Sequence, residues 1–413
     1  MKTKLFNAMI IFSVMFSACQ GNNKESGTPK KDKSNFAEDL TFLQKWDKEL
    51  IVLSASGADA KLIVSPKYQG KVFTSTAEGS DGRSFGWINY KAFDKALDPH
   101  MNAYGGEDRL WLGPEGGPFS LFFAPNKEMV FDNWHTPAAI DTESWSLISS
   151  SAKSVRLAKD MELQNYAGTR FKLNINRQVE ILERKEMEDM LSVDLGDQVK
   201  SVGFKTTNSL RNTGDFTWDK KTGAPCIWSL DMFTPSPETV ILIPYKEDAA
   251  GKVATTDYFG EIQSDRIAME KGVLYFKADG LSRGKLGIPP HRAKPVAGSY
   301  AVDEGVLTIT LFDVANSATY LNQEWTTKKD PFLGDAMNAY NDGPLADGTQ
   351  MGPFYEIESV SPAAFIAANE QIVHSHSVFH FTGDKTQLNT IAEKVLGTSL
   401  TRVSTIFGQP KKQ

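Results

Sequence analysis

Two stretches near the end of the chain, Phe354-Tyr-Glu-Ile-Glu-Ser-Val-Ser-Pro362 and His374-Ser-His-Ser-Val-Phe-His380, decide how it reads. Both keep the period of two that a β-strand requires. Glu356 and Glu358 therefore share one face of the first strand, and His374, His376 and His380 share one face of the second. Three of the six histidines fall in those seven residues. The pattern predicts carboxylates and imidazoles aimed together, a grouping that supplies acids, bases or metal ligands near neutral pH. Glu358, Glu356, His374 and His376 are the candidate catalytic residues.

Working outward, strand follows strand with turn residues between. Leu62-Ile-Val-Ser, Lys71-Val-Phe-Thr-Ser, Leu110-Trp-Leu, Ser120-Leu-Phe-Phe-Ala and Ser154-Val-Arg-Leu are short β-prone runs bounded by Gly, Pro, Asn and Asp. Phe171-Lys-Leu-Asn-Ile-Asn, Val240-Ile-Leu-Ile-Pro, Val273-Leu-Tyr-Phe-Lys and Val306-Leu-Thr-Ile-Thr-Leu-Phe continue the series. Helical spacing occurs at 36–50, through Phe36, Leu40, Leu43 and Trp46, and again at 386–396. Glu183-Arg-Lys-Glu-Met-Glu-Asp-Met-Leu is helical by propensity but sits between strand patterns. Arg283-Gly-Lys-Leu-Gly-Ile288 lacks the strand-to-helix setting of a phosphate loop and reads as a β turn. The expectation is an all-β protein, one large two-sheet sandwich at 36–413 with short helices at its two ends.

The N-terminus bears on where such a domain works. Lys2 and Lys4 precede an apolar run from Leu5 to Ala18 that ends in Phe16-Ser-Ala-Cys19. Residues 1–18 read as a signal peptide, of the bacterial lipoprotein type or of the ordinary secretory type. In the first case Cys19 carries lipid, and the polar residues 19–35 are a tether between membrane and domain. That places the protein in the bacterial cell envelope, held by lipid alone, facing the periplasm rather than the cell surface. Cys226 is the only other cysteine, which excludes an intrachain disulfide once Cys19 is lipidated and excludes a cysteine-based zinc site. The formal charge of -6 shows no basic excess and argues against a nucleic-acid partner. Oligomeric state is not written in the sequence.

Further candidates lie earlier in the chain. Glu107 and Arg109 alternate onto one strand face, where they would grip polar ligand groups or pair structurally. Trp111 and Trp228 offer flat faces for stacking, or simply fill the core. His135, in Asp132-Asn-Trp-His-Thr-Pro137, and Arg211, beside Asn212, complete the candidate ligand-binding set. Glu115 sits in Gly113-Pro-Glu-Gly-Gly-Pro118, a loop suited to close approach by a ligand. Met101-Asn-Ala-Tyr104 recurs as Met337-Asn-Ala-Tyr340, each followed by Gly-Pro-Phe; two similar loops feeding one cleft, or coincidence, would both account for it.

Tyr104-Gly-Gly-Glu-Asp-Arg-Leu-Trp-Leu-Gly-Pro-Glu115, Thr207-Asn-Ser-Leu-Arg-Asn-Thr-Gly214, Trp228-Ser-Leu-Asp-Met-Phe233 and the two C-terminal strands follow one another in an order that resembles the galactose mutarotase-like proteins. The resemblance covers most of the chain after about residue 60 and lies nearest to bacterial lipoprotein relatives of the aldose epimerases. It implies a β-supersandwich whose concave face holds carbohydrate. In that family a glutamate on a C-terminal strand, with proline a few residues on, is the base at the anomeric hydroxyl. Glu358, followed by Pro362, matches it best, and Glu356 second. The family's mid-chain histidine acid has no counterpart, since the matching segment is Trp228-Ser-Leu-Asp-Met-Phe233. His374, His376 or His135 would have to replace it, or the site binds sugar without turning it over. Two carboxylates at i and i+2 on a strand stand roughly 6–7 Å apart, which also admits hydrolase or lyase chemistry. No cofactor is required, although Glu356 or Glu358 with His374 and His376 would offer a divalent metal oxygen and nitrogen ligands. The two readings are thus a carbohydrate-active enzyme and a carbohydrate-binding lipoprotein of a glycan-utilisation system.

Overall fold

The alternation in the sequence becomes three antiparallel sheets in the computed structural model, which describes residues 34–57 and 59–408. The largest sheet runs, in spatial order, through Ile267–Glu270, Val273–Lys277, Thr239–Pro244, Val296–Ala301, Val306–Phe312, Gln371–Gly383, Val199–Asn212, Arg170–Ile181, Ser154–Gln164 and Ser146–Ser150. The second consists of Gly284–Ile288, Met337–Asn341, Tyr355–Val360, Cys226–Phe233 and Arg109–Gly113. Ile51–Ser54, Lys61–Ser65 and Lys71–Thr76 form a smaller third. The expected all-β sandwich is what the chain forms.

The two larger sheets pack face to face. Phe204, Leu210, Ile241 and Val378 from the ten-stranded sheet meet Leu112, Ile227 and Ile357 from the five-stranded one in a continuous apolar core. Part of the other face of the ten-stranded sheet, at Tyr300, Leu307, Phe379 and Phe381, is covered by Met187 of the Arg184–Leu191 helix and by Leu388, Ile391 and Leu396 of the Lys385–Leu396 helix. The first of these is the segment that propensity marked. The second starts where the Asp384 side chain caps the Gln387 N–H and stops at Gly397, whose φ of 72° closes the last turn.

Three local expectations differ from the structure. The N-terminal helix runs only from Phe36 to Leu43, because the Asp47 carboxylate turns to the Ser65 hydroxyl (2.5 Å) and the Glu49 N–H (2.8 Å) instead of continuing the spiral. Ser120 and the residues after it form turns rather than a strand: the Ser120 hydroxyl donates to the Glu115 carbonyl and accepts from the Phe122 N–H, competing with ladder pairing. Gly284–Ile288 is a strand and not a turn. Gly287 allows it, since a Cβ there would lie 2.1 Å from the Asp335 carboxylate. Residues 1–33, with the signal peptide, Cys19 and most of the tether, lie outside the described residues.

Candidate functional site

Strand register places one set of polar side chains together. Arg109 and Trp111 pair across with Leu230 and Trp228; Leu230 and Met232 pair with Glu358 and Glu356; these pair with Asn338 and Tyr340; and Tyr340 pairs with Lys285. Residues directly opposite in a ladder point to the same side. All of these side chains therefore stand on the face of the five-stranded sheet that is turned away from the ten-stranded one. Over that face lies a cleft of about 390 Å³, lined by Arg109, Trp111, Trp228, Lys285, Tyr340 and Glu356, among others. Glu115, Trp134, Phe259, Arg283 and Trp325 reach in from loops and strand ends.

The floor is built on charge pairs. The Arg109 guanidinium donates to Glu356 at 2.5 Å, and the Lys285 ammonium donates to Glu358 at 3.0 Å. Trp228 Nε1 donates to the same Glu358 oxygen at 2.9 Å. The cations also lie over aromatic rings, Arg109 at 5.0 Å from the centre of Trp111 and Lys285 at 4.8 Å from that of Trp228. Buried charges of this kind persist because each has a counter-ion or donor. Burial pushes the Glu356 carboxyl up to about 8, against the Arg109 charge and with the help of the Glu358 charge. Glu115 is pushed up as well, by burial, with Lys285 opposing. Burial pulls Lys285 down more than any one neighbour lifts it, but Glu358, Glu115 and Glu356 together outweigh burial, and its ammonium is held above the usual range. Four buried polar atoms here have no hydrogen-bond partner among the described residues: Glu358 Oε1, Arg109 Nε, Trp134 Nε1 and Trp325 Nε1.

The structure divides the residues marked from sequence. Glu356, Arg109, Trp111 and Trp228 come together in the cleft lining, and Glu358 lies fully buried just beneath it, against Lys285 and Trp228. His374 and His376 do not join them. They stand between the two large sheets, on the other side of the five-stranded one, where Ser359 binds His374 Nε2 at 2.8 Å and His376 Nδ1 at 2.9 Å. His376 Nε2 meets Asp231 at 2.8 Å, and His380 Nε2 meets Glu107 at 2.9 Å. The two strands belong to different sheets, so the period of two sorted each correctly and could not show that their polar faces diverge. Glu356 or Glu358 cannot share a metal ion with His374 and His376 across that sheet. Among the described residues no group of three or more His, Cys, Asp or Glu side chains could hold a metal ion.

The remaining candidates separate too. Glu107 is turned inward to Ser75 (2.6 Å) and His380, because the strand begins only at Arg109, after Gly105 and Gly106 bend the chain at positive φ. Arg211 is exposed on the outward side of its strand, whose alternate residues Asn208, Leu210 and Asn212 are buried. His135 is exposed, stacked at 4.6 Å on His100, itself a lining residue. The interior histidines form part of a packing network. Burial lifts Asp231 to about 7 against the pull of His376, and the Asp231 charge in turn raises His376 in spite of burial. His374 is pushed down to about 4 by burial and by His376, so it stays neutral.

Residues 34–407 match the model of a family of unknown function, DUF6786. The chain belongs to that family. No curated protein matches it. Among solved structures, this DUF6786 chain is similar to the Slr1438 protein from Synechocystis sp., at a TM-score of 0.46 and 13% identity over 81% of this chain and 96% of that one. It is similar to a galactose mutarotase-like protein from Lactobacillus casei, at 0.43 and 12% over 80% and 99%. A galactose mutarotase related enzyme from Lactobacillus acidophilus gives 0.43 and 8% over 80% and 97%.

Sequence reasoning passed over Lys285 and Tyr340 of this DUF6786 chain. Lys285 alternates with Leu286 and Ile288 as a strand residue should, but the flanking glycines read as turn chemistry. Tyr340 lay in the repeated tetrapeptide. In the structure Met337–Asn341 is a strand whereas 101–104 is irregular, so the echo is not a structural repeat, although Met101 and Tyr340 both line the cleft.

Proposed function

We propose that the protein binds a saccharide in the cleft over the five-stranded sheet and uses Glu356 and Glu358 for proton transfer at or near the anomeric centre. The observation that carries this reading is the pair itself: two buried carboxyls on one strand face, in unequal surroundings, beneath aromatic walls. Environments that drive paired carboxyls apart are how one site holds both an acid and a base. Glu356, lifted by burial, keeps a proton to give. Glu358 lies against Lys285 and Trp228 with Oε1 free to accept one. In the simplest reaction, Glu358 takes the proton of the anomeric hydroxyl while Glu356 gives its proton to the ring oxygen. The ring C–O bond breaks to the open-chain aldehyde, and reclosure on the other face returns both protons and yields the other anomer. Trp111 and Trp228 are buried, with the Arg109 and Lys285 cations over their rings, and pack the floor rather than stack on the sugar.

One observation favours the second reading, a carbohydrate-binding protein of a glycan-utilisation system: no histidine stands on the cleft floor, and each floor carboxyl is tied to a cation. The lipid anchor at Cys19 and a periplasm-facing place in the envelope belong to the same proposal, supported by the lipoprotein-type N-terminus.

Proton NMR time courses over neutral sugars, uronic acids and oligosaccharides, with saturation transfer, test it. Faster anomer exchange, new reducing ends or new alkene signals that vanish in Glu358→Gln support the enzyme. Saturation transfer without turnover supports the binding protein, and neither signal with any saccharide removes both readings.

A further inference from the structure

Arg283 stands apart from the other strong cations of the cleft. Arg109 and Lys285 each face a carboxylate, whereas among the described residues Arg283 forms no ion pair. It is nevertheless held in place. Its guanidinium lies 3.9 Å from the centre of the Phe259 ring and beside Tyr340, whose hydroxyl donates to Asp342 at 3.0 Å. Part of its fork of N–H donors bonds the Tyr340 hydroxyl, and stacking on Phe259 leaves the remaining edge for another partner. Among the described residues Lys95 is a second lining cation without an ion pair.

The hydrogen-bond inventory leans the same way. Of the buried atoms left unpartnered in the cleft residues, Arg109 Nε, Trp134 Nε1 and Trp325 Nε1 are all donors, and the one acceptor near them is Oε1 of the buried Glu358 beneath. A ligand that completes this site brings more acceptors than donors. The lining acids do not reverse the balance: Glu356 is occupied by Arg109, Asp98 accepts from the His100 N–H at 2.8 Å, and burial raises Glu115 toward its neutral form.

Resting on the saccharide reading above, we propose that the sugar unit taken by the cleft carries an anionic group, and that Arg283 is the residue that recognises it. A planar guanidinium meets a carboxylate edge-on through two parallel hydrogen bonds, so a uronic acid is the fitting class. A sugar phosphate presents the same acceptor edge.

The test is calorimetric titration of the purified protein with glucuronate and galacturonate, with glucose and galactose as neutral parents, and with the hexose 6-phosphates. At least one anionic sugar is expected to bind tenfold or more tightly than its parent, the uronate arm or the phosphate arm naming the source of the charge. In Arg283→Met, which keeps an apolar stem against Phe259, that ratio is expected to fall to about one, and Arg283→Lys to recover part of it. Thermal melts confirm that the variants fold. Neutral sugars that bind as well as anionic ones, or a preference that survives Arg283→Met, would overturn the proposal and leave the saccharide reading standing. Absence of binding by every sugar would remove both.

Discussion

At the scale of single residues, the cleft turns on how differently two neighbouring carboxyls are housed. Glu356 is lifted to about 8 by burial, so a reaction that draws on its proton should hold its rate up to roughly that pH and fall above it. Glu356→Gln should remove the alkaline limb as well as most of the rate, measured as anomer exchange between pH 6 and 10. A limb that persists in the variant would assign it to another group. The interior histidines call for the opposite expectation. His376→Phe would strand the Asp231 carboxyl in the core without its 2.8 Å partner, and breaking a buried pair costs about 3–5 kcal/mol. Urea unfolding should show that loss, while saccharide binding by the folded fraction is retained. Loss of binding at undiminished stability would restore these histidines to the site.

Elements explain why some of this was legible and some was not. The period of two correctly gave Tyr355–Val360 and the last strand, and with them the shared face of Glu356 and Glu358. Which sheet each strand joins depends on pairing with chain more than a hundred residues away, as between Glu358 and Leu230, and alternation carries no record of that. Arg283-Gly-Lys-Leu-Gly-Ile288 failed for another reason. Its Gly287 is there for close approach rather than for a turn: it sits against Asp335 and Asn338, which bond Tyr258 at 2.7 Å and 3.3 Å. Gly287→Ala should therefore act as an overpacked core substitution and cost roughly 1–3 kcal/mol by thermal or urea unfolding. A neutral effect would mean that the strand carrying Lys285 has slack that the geometry does not show.

For the whole molecule, the division of labour is between sheets. The ten-stranded sheet and its helices bury the polar network of Asp231, His376 and Ser359 against the apolar core, while the five-stranded sheet turns its charged face to the cleft. Stability and ligand chemistry thus sit on opposite sides of one layer, which is why substitutions on the two sides should separate cleanly. The proposed anchor is independent of both. Cys19→Ala should move the protein from the membrane pellet to the soluble fraction without changing its unfolding midpoint, and retention in the pellet would exclude the lipid as its attachment.

The most direct measurement is saccharide binding, by saturation transfer, in Glu358→Gln beside Arg211→Ala. The cleft floor predicts that Glu358→Gln loses the signal by tenfold or more and that Arg211→Ala, on the exposed side of the ten-stranded sheet, keeps it. Binding that survives Glu358→Gln and disappears with Arg211→Ala would place the ligand on the other sheet and contradict the account.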